Sequence, residues 1–164
     1  MASSEITVTL ADYSNKQHAS DIVELLDLYS RDPMGQNAAL DENVRLQIVP
    51  SLREMPTAFS LLAYSGDQAV GVVNCFEGFS TFKARRLVNI HDIAVHPDHR
   101  GKGIGRRLLE EVENQARRRG CVKVTLEVRD DNPAKSLYKR AGYMPGEPEM
   151  LFWTLEFSGS EANK

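Results

Sequence analysis

The sequence is short of cysteine, of long apolar runs and of net charge. Its 164 residues hold two cysteines, Cys75 and Cys121, too few for a disulfide framework in a chain this long. Reduced thiols and a cytoplasmic setting are expected. No segment approaches the roughly 20 consecutive apolar residues of a membrane span. The opening Met1-Ala2-Ser3-Ser4-Glu5 has neither the basic nor the apolar part of a secretory signal, so none is expected. A formal charge of −3 disfavours a nucleic-acid or anionic-membrane partner. Repeats, linkers and low-complexity tracts are also lacking. What is present is globular: 41% hydrophobic and 26% charged residues, enough for one domain with its own core. That domain is read as residues 1–158, followed by a flexible polar tail at 159–164.

Alternation of Ile6, Val8 and Leu10 with threonines predicts a first strand. Apolar residues at helical spacing predict a helix over 21–29, capped by Ser20 and broken at Asp32-Pro33. A second helix is expected from Leu40 or Asp41 to about Pro50. Strands follow at 58–64, 69–76 and 87–95, the first two joined by the turn Ser65-Gly66-Asp67. The longest helix, 103–119, carries Ile104, Leu108, Leu109, Val112 and Ala116 on one face and stops at Gly120. A strand at 122–128, a helix from Asn132 or Pro133 to Gly142, and a last strand at 151–157 complete the order, with room for a short strand near Tyr143. Three successive strands followed by alternation suggest an α/β chain, an α+β mixed sheet rather than a doubly wound parallel one.

The most informative stretch is Arg100-Gly101-Lys102-Gly103-Ile104-Gly105-Arg106-Arg107, where a strand has ended and the longest helix begins. Glycines let backbone N–H groups converge on a ligand, and a helix N-terminus adds unsatisfied donors and partial positive charge. Residues 100–123 carry eight basic and three acidic side chains, against the sign of the whole. The spacing is neither that of the dinucleotide fingerprint nor that of the P-loop. On glycines alone, a plain turn and helix cap is the competing reading.

These residues resemble the acyl-CoA signature [R/Q]-x-x-G-x-[G/A] of the GNAT superfamily of N-acetyltransferases. A second signature, N-x-x-A/S-x-x-x-Y-x-x-x-G-[F/Y], is matched by Asn132, Tyr138, Gly142 and Tyr143, with Ser136 or Ala134 a loose fit in the small-residue slot. The clear match covers residues 87–143. From Val70 to Tyr143 the chain also looks like the polyamine and diamine acetyltransferase branch, but has His91 where that branch tends to carry glutamate.

The resemblance implies a mostly antiparallel sheet, splayed between its fourth and fifth strands and flanked by about four helices. It implies acetyl-CoA as co-substrate; no metal is expected, because no ligand cluster with zinc spacing is present. Arg100, Gly101, Lys102, Gly103, Ile104, Gly105 and Arg106 would form the pyrophosphate loop. Ile93, Ala94 and Val95 lie on the strand that would pair with the pantetheine arm, and Asn132 would touch that arm. The Ile93 N–H would meet the oxyanion, and Tyr138 would protonate the departing thiolate. A phenol, with an ordinary pKa of ~10, keeps its proton at neutral pH. By composition alone, Tyr138 reads as a core residue of its helix.

An alkyl amine must lose a proton before it attacks, because its ordinary pKa is ~10.4. His91 and Asp92 stand level as the base, with Glu77 third; a water relay is the alternative. Strand neighbours point to opposite faces, so His91 shares a face with Ile93 and Val95 unless a bulge intervenes. His96 and His99 lack zinc-ligand spacing. The resemblance places the acceptor site at about 29–40 and 77–86; Asp27 beside the first segment, Asp32 or Glu77 would hold a cationic amine, or Arg85 or Arg86 a carboxylate. The leading expectation is a small-molecule primary amine. A protein N-terminus or lysine, and a non-catalytic acyl-CoA-binding module, are the alternatives. Family members often dimerise through C-terminal strands, and Phe152, Trp153, Leu155 and Phe157 suit either that role or ordinary core.

Overall fold

A computed structural model describes residues 5–157. The opening Met1-Ala2-Ser3-Ser4 and the expected tail at 159–164 lie outside the described residues. Strands β1 (Ile6–Leu10), β2 (Ala58–Ser65), β3 (Gln68–Ser80), β4 (Arg85–Val95) and β5 (Val124–Leu126) form one sheet in that order. Neighbours are antiparallel except β4 and β5, which run parallel. Among the described residues the α-helices are α1 (Lys16–Arg31), α2 (Glu42–Glu54), α3 (Ile104–Arg118) and α4 (Lys135–Arg140). None is long and apolar enough to cross a membrane.

Side-chain alternation divides the core between the two sheet faces. Leu61, Val73 and Ile90 pack with Ile104, Leu108 and Val112 of α3 on one face. Leu62 and Val72 pack with Ile22, Leu25 and Leu26 of α1 and Val49 of α2 on the other. Leu108 is fully buried, so Leu108→Ala should cost about 3 kcal/mol of stability, read as a lower denaturant midpoint.

Strand β3 runs on to Ser80, β4 starts at Arg85, and β5 and α4 are shorter than in the sequence reading; the larger differences lie at α1, α2 and the C-terminal end. Helix α1 begins five residues early because Asn15, not Ser20, caps it: the Asn15 side chain accepts from the N–H groups of Gln17 (2.8 Å) and His18 (3.2 Å). Helix α2 runs four residues beyond Pro50. Proline there leaves the carbonyl of Leu46 without its helical donor, and Leu46 is exposed to solvent. Among the described residues, the last strand expected at 151–157 does not form, nor does a short one near Tyr143. Leu151, Phe152, Trp153, Leu155 and Phe157 are exposed rather than core. Period-two alternation marks a segment able to bury one face, but a strand needs a neighbour, and β5 pairs only with β4.

Candidate active site

Strand β4 runs on past the point where β5 leaves it. Their pairing covers Val88↔Val124, Asn89↔Thr125 and Ile90↔Leu126, whereas β4 continues to Val95. The His96 N–H donates to the Val70 carbonyl at 2.8 Å, so the adjacent pair Gly71↔Val95 is non-hydrogen-bonded. By alternation Val73↔Ile93 is another. The N–H and C=O groups of Ile93 and Val95 therefore face away from β3, along the edge that β5 has vacated. The Arg100 Nε donates to the Val95 carbonyl at 3.2 Å.

The glycine turn lies beyond the end of that edge. Gly101 and Gly103 have φ of 76° and 79°, a left-handed conformation natural to glycine. A Cβ at either would meet nothing within 4 Å, so the space beside both is open. Gly103 caps α3 without a side-chain hydrogen bond. Gly105 differs from both. A Cβ there would come within 2.9 Å of Leu137, so its small size serves the contact between α3 and α4. Ile104 is core. Around the turn, the Lys102 Nζ donates to the Asp98 carbonyl (3.0 Å) and Arg106 pairs with Glu110 (2.8 Å).

On the opposite side of the sheet, α1, α2, β3 and β4 enclose a cleft of about 320 Å³ lined by both His91 and Asp92. Neighbours on a strand share a face here because β4 bulges: Asn74 pairs with Asp92 and Cys75 with Ile90, leaving His91 as the extra residue. His91 sits edge-on to Phe76, with centroids 5.6 Å apart. Asp92 ends a buried polar chain. The Asn74 Nδ2 donates to the Asp92 carboxylate (3.1 Å), the Ser60 hydroxyl to the Asn74 Oδ1 (2.6 Å), and the Tyr13 and Ser60 hydroxyls lie 2.8 Å apart. With its Oδ1 taken by Ser60, the Asn74 amide turns its donor to Asp92.

The structure does not bring Glu77 to this cleft. Glu77 is held by Arg119 at 2.6 Å and Arg86 at 3.3 Å. Asp27 is likewise paired with Arg31 (2.9 Å) and Arg45 (3.0 Å), and Asp32 with Arg100 (2.8 Å). The Asp27 and Asp32 carboxyls are held below the usual range, Asp27 by the Leu40 N–H and Arg31 against its burial, Asp32 by the Met34 N–H and Arg100. Arg85 donates to the Gly120 carbonyl (3.2 Å) and Arg86 serves Glu77. Neither lines the cleft. The Asn132 side chain accepts from the Ala134 N–H at 2.9 Å, which shapes the turn into α4.

Tyr138 is buried on the α3–α4 side, beside Tyr143. Burial, with the neighbouring Tyr29, pushes its hydroxyl up to about 12. The sequence marks Tyr29 as an apolar position of α1 and as the start of the expected acceptor segment 29–40, but gives its hydroxyl no role. It lines the cleft and also a smaller pocket with Ala94, Val95 and Arg100. Burial and the charges of Asp92 and Asp32 raise its phenol. Its position in the last turn of α1, before Asp32-Pro33, is the available signal.

An open-edged sheet, a glycine-lined helix start beyond the opening and a cleft lined by Asp92 together form a candidate transferase site. The acetyltransferase (GNAT) family model matches residues 22–143, and the chain belongs to that family. Streptothricin acetyltransferase of Streptomyces lavendulae is 42% identical over 79 residues, which are 46% of this chain and 42% of that protein. Thialysine N-epsilon-acetyltransferase of Bos taurus is 37% identical over 78 residues, 47% of this chain and 45% of that protein. The match thus spans less than half the length of these curated relatives. The crystal structure of ribosomal-protein-alanine N-acetyltransferase from Brucella melitensis biovar Abortus 2308 shares the fold, with a TM-score of 0.72 at 21% identity, over 93% of this chain and 100% of that one.

Proposed function

We propose that the protein transfers an acetyl group from acetyl-CoA to a primary amine of a small molecule, by direct attack in a ternary complex. The observation that carries this reading is the vacated edge of β4, with the glycine turn beyond it and the Asp92 cleft across the sheet. The residues fit acetyl-CoA. Gly101 and Gly103 offer an unobstructed backbone to the pyrophosphate, and the outward-facing groups of Ile93 and Val95 suit an extended pantetheine arm. The two named relatives from Streptomyces lavendulae and Bos taurus, whose names refer to small-molecule acetylation, support the acceptor class. Both cysteines are free thiols, in keeping with work in the cytoplasm.

Acetyl-CoA supplies the thioester. The amine nitrogen forms the new C–N bond as the C–S bond breaks. The amine's proton passes to the Asp92 and His91 side of the cleft. The Ile93 N–H donates to the thioester oxygen, and Tyr138 holds its Oη proton toward the departing sulfur. Glu77 has no part in this reading, because two arginines already hold it. Thiol released from acetyl-CoA in step with acetylated amine is the direct test; acetyl-CoA binding without amine-dependent thiol release would refute turnover.

Asn74→Leu tests the role of the Asp92 support. It removes the donor to Asp92 and leaves the buried Ser60 hydroxyl without its acceptor, at a stability cost of about 1–3 kcal/mol. The expected result is a fall of about tenfold or more in kcat/KM for the amine, with acetyl-CoA affinity unchanged by calorimetry.

A further inference from the structure

The walls of the cleft specify more than an amine. Leu26, Leu40, Ile48, Leu52, Met55 and Phe76 supply its apolar surface. Among the described residues that line it, Asp92 is the one carboxylate and none is a lysine or arginine; His91 and Tyr29 are the other side chains able to ionise. The nearby acids are already spent. Asp27 is held by Arg31 and Arg45, Asp32 by Arg100, and Glu24 by Arg45.

We propose that the acceptor is a monoamine with an apolar body, an alkyl or arylalkyl amine that carries one ammonium group and no carboxylate. This rests on the acetyltransferase reading and narrows its substrate. One ammonium group meets one carboxylate at the β4 bulge, and the hydrocarbon body covers the leucines, Ile48 and Phe76. A polyamine or aminoglycoside brings further ammonium groups, which would lose water in a cleft whose remaining lining is apolar or, at Ser30, Gln36, Ser51 and Asn74, neutral, with no second counter-charge. An amino acid brings a carboxylate that would find no cation. A cleft of about 320 Å³ lies at the lower end for ligand sites, which suits a small acceptor. A peptide substrate needs a groove that continues past the site. Here the chain between α1 and α2, which supplies Gly35, Gln36 and Leu40 to the cleft, is strapped to α1. The Ser30 hydroxyl donates to the Ala38 carbonyl (2.7 Å) and the Leu40 N–H to Asp27 (2.9 Å).

The experiment measures free-thiol release by the full chain with acetyl-CoA, at equal concentrations of phenethylamine, hexylamine, spermidine, kanamycin, lysine and a short peptide with a free N-terminus. Phenethylamine and hexylamine are expected to exceed spermidine, kanamycin and lysine by roughly a hundredfold in kcat/KM. A preference for any of those three, or for the peptide, overturns the proposal while leaving the acetyltransferase reading in place. Thiol release that no amine raises above acetyl-CoA alone removes both. Met55→Glu places a carboxylate on a half-exposed rim position. It should raise the ratio of spermidine to phenethylamine turnover about fivefold. An unchanged ratio would show that amines do not enter by this cleft.

Discussion

Gly103→Val should weaken acetyl-CoA binding about a hundredfold or more in a protein that remains folded. The substitution acts on two sides. Within the chain, Gly103 has a φ of 79°, and a β-branched residue there costs about 1–3 kcal/mol of backbone strain. A domain with ~5–15 kcal/mol of stability tolerates that, and the added carbons enter open space rather than protein. On the ligand side that same space is where a pyrophosphate would lie, against the first N–H groups of α3. Losing two charge-assisted hydrogen bonds at roughly 1.5 kcal/mol or more each weakens Kd about a hundredfold or more. Calorimetry reads the affinity, and circular dichroism with thermal melting shows that the fold survives. Wild-type affinity in Gly103→Val would mean that acetyl-CoA does not use this turn.

Tyr138→Phe should lower turnover about a hundredfold with acetyl-CoA affinity unchanged within about twofold. The phenyl ring keeps the packing against Tyr143 and the α3 core, so the loss is confined to one hydroxyl. Burial and Tyr29 raise that hydroxyl to about 12, which favours its neutral form. The proton therefore stays on the Oη as pH rises through the range where an unperturbed phenol, near ~10, begins to ionise. So the wild-type rate should show no falling limb from Tyr138 up to about pH 10. The same upward shift makes Tyr138 a weak acid, so the proposed role is that of a donor held against developing negative charge on sulfur. Equal kcat in the phenylalanine variant would exclude the role, and a fall in both kcat and acetyl-CoA affinity would point to binding instead.

The parts of the site that are legible in the sequence are local. The alternating glycines and the 3.6-residue spacing of Ile104, Leu108 and Val112 identify the turn and its helix, because left-handed φ values and an apolar stripe each leave a mark in composition. The bulge at His91 is not legible. A two-residue period assigns His91 and Asp92 to opposite faces, and the extra residue becomes visible only in the register against Asn74 and Cys75. The acidic residues mislead for a related reason. Asp32 and Arg100 are 68 positions apart, and Glu77 and its shorter partner Arg119 are 42 apart, so the local sequence does not announce these pairs. Tyr29 has the spacing of a core helix residue, and only the packing of α1 over β4 gives its hydroxyl a place beside Asp92. At the C-terminal end, 151–157 carries the alternation of a strand without a strand to pair with.

The proposed chemistry stands or falls with the acetyl-CoA site. Its sharpest test is a calorimetric titration of the full chain with acetyl-CoA, repeated on Gly103→Val. Saturable one-to-one binding by the wild type, weakened about a hundredfold or more in the variant, is the expected result. No binding at millimolar acetyl-CoA by the folded wild-type chain would overturn it, and the glycine turn would then stand as a helix cap alone.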